Sequence, residues 1–117
     1  MVPSYKEVNI DEYYKEDIEF VRDLLKIGFN NKELFFATDK RKQVYSDLVN
    51  NPRIEIATYN LHTRKWIRIR GRAELENSNL IKKEMINAYP MLKQKYLNEA
   101  EMFLAIYKLL IDDINIT

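Results

Sequence analysis

Apolar residues recur at Tyr14, Ile18, Val21 and Leu25, at spacings of four, three and four, so residues 11–27 are predicted to form an amphipathic helix. Asn9 and Glu12 are spaced to cap its start, and Gly28, with Asn30 and Asn31 behind it, to end it. ELFFAT at 33–38 predicts a short strand, and KRKQVYSDLV at 40–49 a helix with Val44 and Leu48 on one face, stopped by Asn50, Asn51 and Pro52. RIEIATYN at 53–60 alternates as a strand, with Ile54, Ile56 and Thr58 opposite Arg53, Glu55 and Ala57. A turn at 61–64 leads to the clearest strand, KWIRIRGRAEL at 65–75. Its Ile67, Ile69, Ala73 and Leu75 face one way, and Trp66, Arg68, Arg70 and Arg72 the other.

After a polar break at 76–79, helices are predicted at 80–88 and from Pro90 to about residue 97. Residues 102–111 and 114–117 predict two closing strands, separated by Asp112 and Asp113. This order implies an α+β fold around a largely antiparallel sheet. An apolar face opposed to an arginine-lined one points to a curved sheet or small barrel.

Composition narrows the chemistry. A chain of 117 residues supports one core, so residues 1–117 are expected to form a single domain. With Gly 2 and Pro 3, the turns fall to eleven asparagines, which tolerate left-handed backbone. The absence of cysteine excludes disulfides, thiolate metal sites and thiol nucleophiles, and a single histidine excludes His-rich metal centres. A net charge of +1 argues against a dedicated nucleic-acid coat. The longest apolar runs, 102–107 and 109–111, are far short of a membrane span, and MVPSYKEVNIDEYY lacks the pattern of an export signal. A soluble, cytoplasmic protein with no membrane partner is expected.

Two stretches could carry chemistry. At the junction 36–42, a helix start, the Thr38 hydroxyl, Arg41 and Lys42 together describe an anion site, or else an exposed basic turn that holds only water and counterions. On the strand around Trp66, Arg64, Lys65, Arg68, Arg70 and Arg72 accumulate with no acid between 61 and 72. Such a row can neutralise an anionic aromatic ligand stacked on the indole. It can equally meet the acids of the first helix across a subunit interface. His62 reads as an exposed turn residue, and Asp112 with Asp113 as turn chemistry rather than a magnesium site. No residue stands out as a catalytic acid or base, and no metal site is predicted.

A series of segments carries a resemblance: FFAT at 35–38, RKQVYSDL at 41–48, NPRIEI at 51–56, KWIRIRG at 65–71 and KKEMINAYPMLKQKY at 82–96. In order and spacing, the stretch 34–107, about two thirds of the chain, resembles the flavin-binding split-barrel family related to pyridoxamine 5'-phosphate oxidase. Residues 32–117 would be the barrel core and 1–31 a helical N-terminal region. The resemblance implies a homodimer of small barrels with flavin mononucleotide (FMN) in two clefts at the subunit interface. It implies that Ala37 and Thr38 run beside the cofactor, that Arg41 and Lys42 hold its phosphate, and that Trp66 lies near the ring or ribityl chain, with Arg68 on the same strand motif. Flavin-dependent reduction of a small acceptor is the activity implied, rather than oxidation of a vitamin B6 phosphate, for which substrate-gripping residues after the last strand are missing.

The sequence also departs from that family. Members place a two-stranded hairpin between the first helix and the strand matching 33–38, and here Leu25 to Asn31 passes directly to Glu33. A reduced barrel would expose sheet edges, favouring an oligomer, and would lose flavin contacts. Two alternatives follow: a dimeric relative without cofactor, and, from a different class, a module for single-stranded nucleic acid using Trp66 and the arginines, against which the near-neutral charge stands.

Overall fold

The computed structural model describes residues 13–25, 34–96 and 103–117. Four helices and four strands follow in the order α1 (Lys15–Leu24), β1 (Leu34–Asp39), α2 (Gln43–Asn50), β2 (Arg53–Asn60), β3 (Lys65–Glu76), α3 (Asn79–Ala88), α4 (Pro90–Tyr96) and β4 (Leu104–Ile116). The strands form one antiparallel sheet in the order β1-β4-β3-β2, curled into a half-barrel and flanked by the helices. The α+β, largely antiparallel, curved-sheet expectation is met. The proposed caps at Asn9, Glu12 and Gly28, and the outer ends of the first and fourth helices, lie outside the described residues.

The pairing register assigns each side chain to a face, because successive residues of a strand alternate. One face carries Leu34, Ile67, Ile69, Leu109, Ile111 and Ile114, which pack with Ile18 and Val21 of α1. Further along it, Ala73, Ala105 and Tyr107 meet Leu48 of α2. On the opposite face Phe35, Leu104 and Ile106 pack under Ile81, Met85 and Tyr96 of α3 and α4. The first half of β4 is therefore buried on both sides, which is why MFLAIYKLLI shows no clean alternation.

Three sequence expectations need correction. The helix predicted at 40–49 begins only at Gln43, because residues 40–42 make a turn in which the Lys42 N–H donates to the Asp39 carbonyl (3.0 Å). Asp112 and Asp113 do not separate two strands; β4 runs through them. Gly71 pairs with Ile111 and Arg70 with Asp113, so Asp112 is the extra residue of a β-bulge, exposed with its neighbour beyond the helical cover. Leu75, expected inside with Ile67, Ile69 and Ala73, is 42% exposed, because it lies near the end of β3 where the apolar packing runs out.

The bulge explains the strand's glycine. A Cβ on Gly71 would run into the Leu110 carbonyl oxygen of β4, a backbone atom that cannot step aside. Gly71→Ala is expected to cost at least about 1–3 kcal/mol through overpacking, whereas Asp112→Ala, exposed on the same bulge, should stay within about 0.5 kcal/mol. Urea unfolding of the two variants beside the parent checks this contrast.

Candidate functional site

The end of β1 and the start of α2 are joined by a buried carboxylate. Asp39, 4% exposed, closes β1, and its side chain turns toward α3 and α4. Its Oδ1 accepts from the Arg41 backbone N–H (2.9 Å) and from Arg41 Nε (2.9 Å), and its Oδ2 accepts from Arg41 Nη2 (2.7 Å) and from the Tyr96 hydroxyl (2.7 Å). The Arg41 guanidinium also lies 4.0 Å from the centre of the Phe103 ring. Next to it, the Lys40 N–H donates to the Phe103 carbonyl (2.7 Å). These contacts tie β1, α4 and the approach to β4 together at one corner.

The electrostatics follow from this geometry. Hydrogen bonds from the Arg41 side chain, then from Tyr96 and the Arg41 backbone, hold the Asp39 carboxyl far below the usual carboxylate range. Burial, reinforced by the bond to Asp39, pushes the Tyr96 phenol up to about 12, so it stays a donor at any physiological pH. Lys42 stands at the N-cap of α2 with an exposed side chain and no side-chain cap bond. Ala37 packs half-buried against the Phe35, Met85 and Tyr96 cluster, while Thr38, by alternation, projects from the other face of β1.

The second candidate group lies on the uncovered part of the sheet. Trp66, 47% exposed, pairs across the strands with Tyr59, their ring centres 5.4 Å apart at a tilted angle. The Arg68 guanidinium sits 6.0 Å from the Trp66 ring. The arginine row is partly neutralised, because Arg68 (3.3 Å) and Arg70 (3.1 Å) share the Glu55 carboxylate, an acid that the sequence places on the neighbouring strand. The turn beside this group is anchored by a buried acid. Asp17 of α1, fully buried, accepts at Oδ1 from Asn60 Nδ2 (3.0 Å) and the Thr63 hydroxyl (2.6 Å). His62 is exposed in that turn, as expected, and its backbone N–H donates to Asn60 Oδ1 (3.0 Å). A cavity of about 400 Å³ opens there, lined by Glu16, Glu19, Phe20, Asp23, Asn60 and His62.

The structure brings Arg41 and Lys42 together at one corner, and Trp66 and Arg68 at another. It does not bring the two pairs together within a chain. Thr38 pairs with Ala105 near the start of β4, and Ile67, next to Trp66, pairs with Ile116 at its end. Eleven residues of strand separate those positions, about 36 Å of chain path before curvature. Sequence reasoning gave Asp39 no role of its own within the 36–42 junction and missed Tyr96 and Asp17, because a lone acid or tyrosine carries no signal until the fold supplies its partner.

A scan against protein-family models finds no match, and a search of curated proteins finds none. Solved structures do match. A nimc/nima family protein from Clostridium acetobutylicum superposes with a TM-score of 0.68 at 21% identity, over 80% of this chain and 66% of that one. The shared architecture is the split barrel. General Stress Protein 26 from Bacillus anthracis gives a TM-score of 0.61 at 20% identity, over 87% of this chain and 92% of that one. A conserved hypothetical protein from Mycobacterium tuberculosis gives 0.50 at 15%, over 76% and 62%. The chain thus spans just under two thirds of the Clostridium and Mycobacterium proteins. At these identities the likeness is one of fold. No helix among the described residues is long and apolar enough to cross a membrane.

The Asp39 cluster makes a prediction with a defined sign. A carboxyl whose folded-state pKa lies below its unfolded value of 3.8 contributes stability that is fully present above that value and is lost as the pH falls toward the folded one. Asp39→Asn removes that dependence along with the ion pair. The parent should therefore exceed the variant by a constant margin from about pH 8 to about pH 5, and the margin should shrink below about pH 4. Urea midpoints measured from pH 7 to pH 2 test this, and a margin that grows on acidification would contradict it.

Proposed function

We propose that this chain is an FMN-binding flavoprotein of the pyridoxamine 5'-phosphate oxidase-like kind that works as a homodimer. One observation carries the reading: the basic corner at Arg41 and Lys42 and the aromatic, basic patch at Trp66 and Arg68 lie at opposite ends of the sheet. One flavin cannot use both within a chain. Two chains can, each offering its corner to the phosphate and its patch to the ring end of a different flavin. Split-barrel architecture, shared with the solved structures, supports the reading at the level of fold.

In that assembly Lys42, Arg41 and the start of α2 would hold the phosphate, Thr38 and the backbone at Ala37 would run beside the cofactor, and Trp66 with Arg68 would lie against the ring or ribityl chain. Bound flavin would supply the redox step, reduction of a small acceptor, while the chain supplies orientation and positive charge. A second reading is favoured by the sheet itself. The four strands among the described residues, without the hairpin of larger split barrels, suit a dimeric scaffold that has lost the cofactor.

Purified protein should absorb in the visible as a flavin does, or quench added FMN fluorescence at micromolar concentration. A colourless protein that leaves that fluorescence unchanged would favour the cofactor-less scaffold. Sedimentation should show a dimer, and a stable dilute monomer would contradict both readings.

Residue roles separate further in titrations with FMN and riboflavin, which share the ring but not the phosphate. Lys42→Ala should remove a charge-assisted contact of about 1.5–3 kcal/mol, weakening FMN roughly 10- to 150-fold and riboflavin hardly at all. Trp66→Ala should weaken both. Equal effects of Lys42→Ala on the two ligands would remove the phosphate assignment.

A further inference from the structure

Arginine is flexible, and ordering one on a ligand costs rotamer entropy unless the protein has already done so. At Arg41 the ordering is built in. Both oxygens of a buried carboxylate grip the side chain at Nε and Nη2, and the guanidinium carbon lies 4.0 Å from the centre of the Phe103 ring. The carboxylate is itself oriented from behind: Tyr96, 3% exposed on α4, donates to Oδ2, and the Arg41 backbone N–H donates to Oδ1. Yet the Arg41 side chain remains 54% exposed. Asp39 is 4% exposed, so the clamp is covered while part of the cation it holds is not.

We propose that Asp39 and Tyr96 are positioning residues: they hold the Arg41 guanidinium in one orientation toward an anionic group at the start of α2. This rests on the FMN reading above and names two residues that reading does not use. Neither touches the ligand; both act through Arg41. The opposite effect is also physically reasonable, because a carboxylate bound to an arginine competes with any phosphate for it. The two effects predict changes of opposite sign, so the experiment has a clear reading.

The experiment measures dissociation constants for FMN and riboflavin by fluorescence titration, on the full chain and on Asp39→Asn, Tyr96→Phe, Arg41→Ala and the double variant Asp39→Asn with Arg41→Ala. Positioning predicts that Asp39→Asn weakens FMN about tenfold while riboflavin is unchanged. Tyr96→Phe should shift the FMN-to-riboflavin ratio the same way by about two- to threefold. Asp39→Asn should add nothing to the ratio once Arg41 is alanine. A purely structural role would weaken both ligands together.

Circular dichroism establishes which variants fold. If Asp39→Asn does not, Tyr96→Phe, which removes only one hydroxyl, decides alone. An unchanged or increased ratio of FMN to riboflavin affinity in a folded variant overturns the proposal and leaves Asp39 a competitor or a staple. Failure of the unmodified protein to bind FMN overturns the flavin reading and this inference with it. Binding of FMN by the unmodified protein, with a ratio that ignores both substitutions, overturns this inference only.

Discussion

Strand β4 is the constraint on which the other elements depend. Leu104 and Ile106 lie under α3 and α4, Ala105 and Tyr107 under α2, and Leu109, Ile111 and Ile114 pack with α1. Every described helix thus reaches the core through this strand, which also pairs with β1 on one side and β3 on the other. A strand covered on both faces must be apolar at consecutive positions, and the chain provides that from Leu104 to Tyr107. Cover on both faces ends before Asp112 and Asp113. There the strand absorbs a bulge, and Gly71 accepts the close approach of the Leu110 carbonyl.

Two buried aspartates hold the loops at the two ends of this sheet, by different means. Asp39 has a cation, a phenol and a backbone N–H, so its charge is compensated where it sits. Asp17 has only the neutral donors Asn60 and Thr63 at one oxygen, and its Oδ2 is buried without a hydrogen-bond partner among the described residues. The first arrangement makes a stiff corner with a cation at its surface. The second fixes the β2–β3 turn, whose Arg64 adopts the left-handed conformation uncommon for a side-chain-bearing residue. Both carboxylates thus position backbone next to a candidate ligand-facing group: Lys42 in one case, Trp66 in the other.

Element types were legible in the sequence because they rest on local periodicity. The spacing of Ile18 and Val21, three residues apart on one helix face, and the alternation in KWIRIR are set by neighbouring residues alone. What was not legible depends on partners distant in the chain. Asp112 and Asp113 read as a turn because two adjacent acids interrupt an apolar run, and only pairing with Arg70 and Gly71 shows a bulge. Leu75 followed the alternation and still lies half outside, since alternation gives the face and not where the cover stops. At the candidate site, Arg41 and Lys42 were visible as adjacent charges. The acid that fixes Arg41 was visible too, but its Tyr96 partner is 57 residues away.

An open sheet must also deal with its edges, and among the described strands they are β1 and β2. β2 carries Arg53 and Glu55 on its uncovered face, and β1 is only six residues long and runs into the basic turn 40–42, so each edge is blunted by charge or brevity. That is adequate against indiscriminate pairing, but it does not bury the face between them. Trp66, Tyr59 and the arginines there remain in water, and burying an indole and a phenol is among the more favourable things a small protein can do. In the proposed dimer that burial and the meeting of the two half-sites would be one event. The same surface would then cover the exposed aromatic patch and complete the proposed binding cleft.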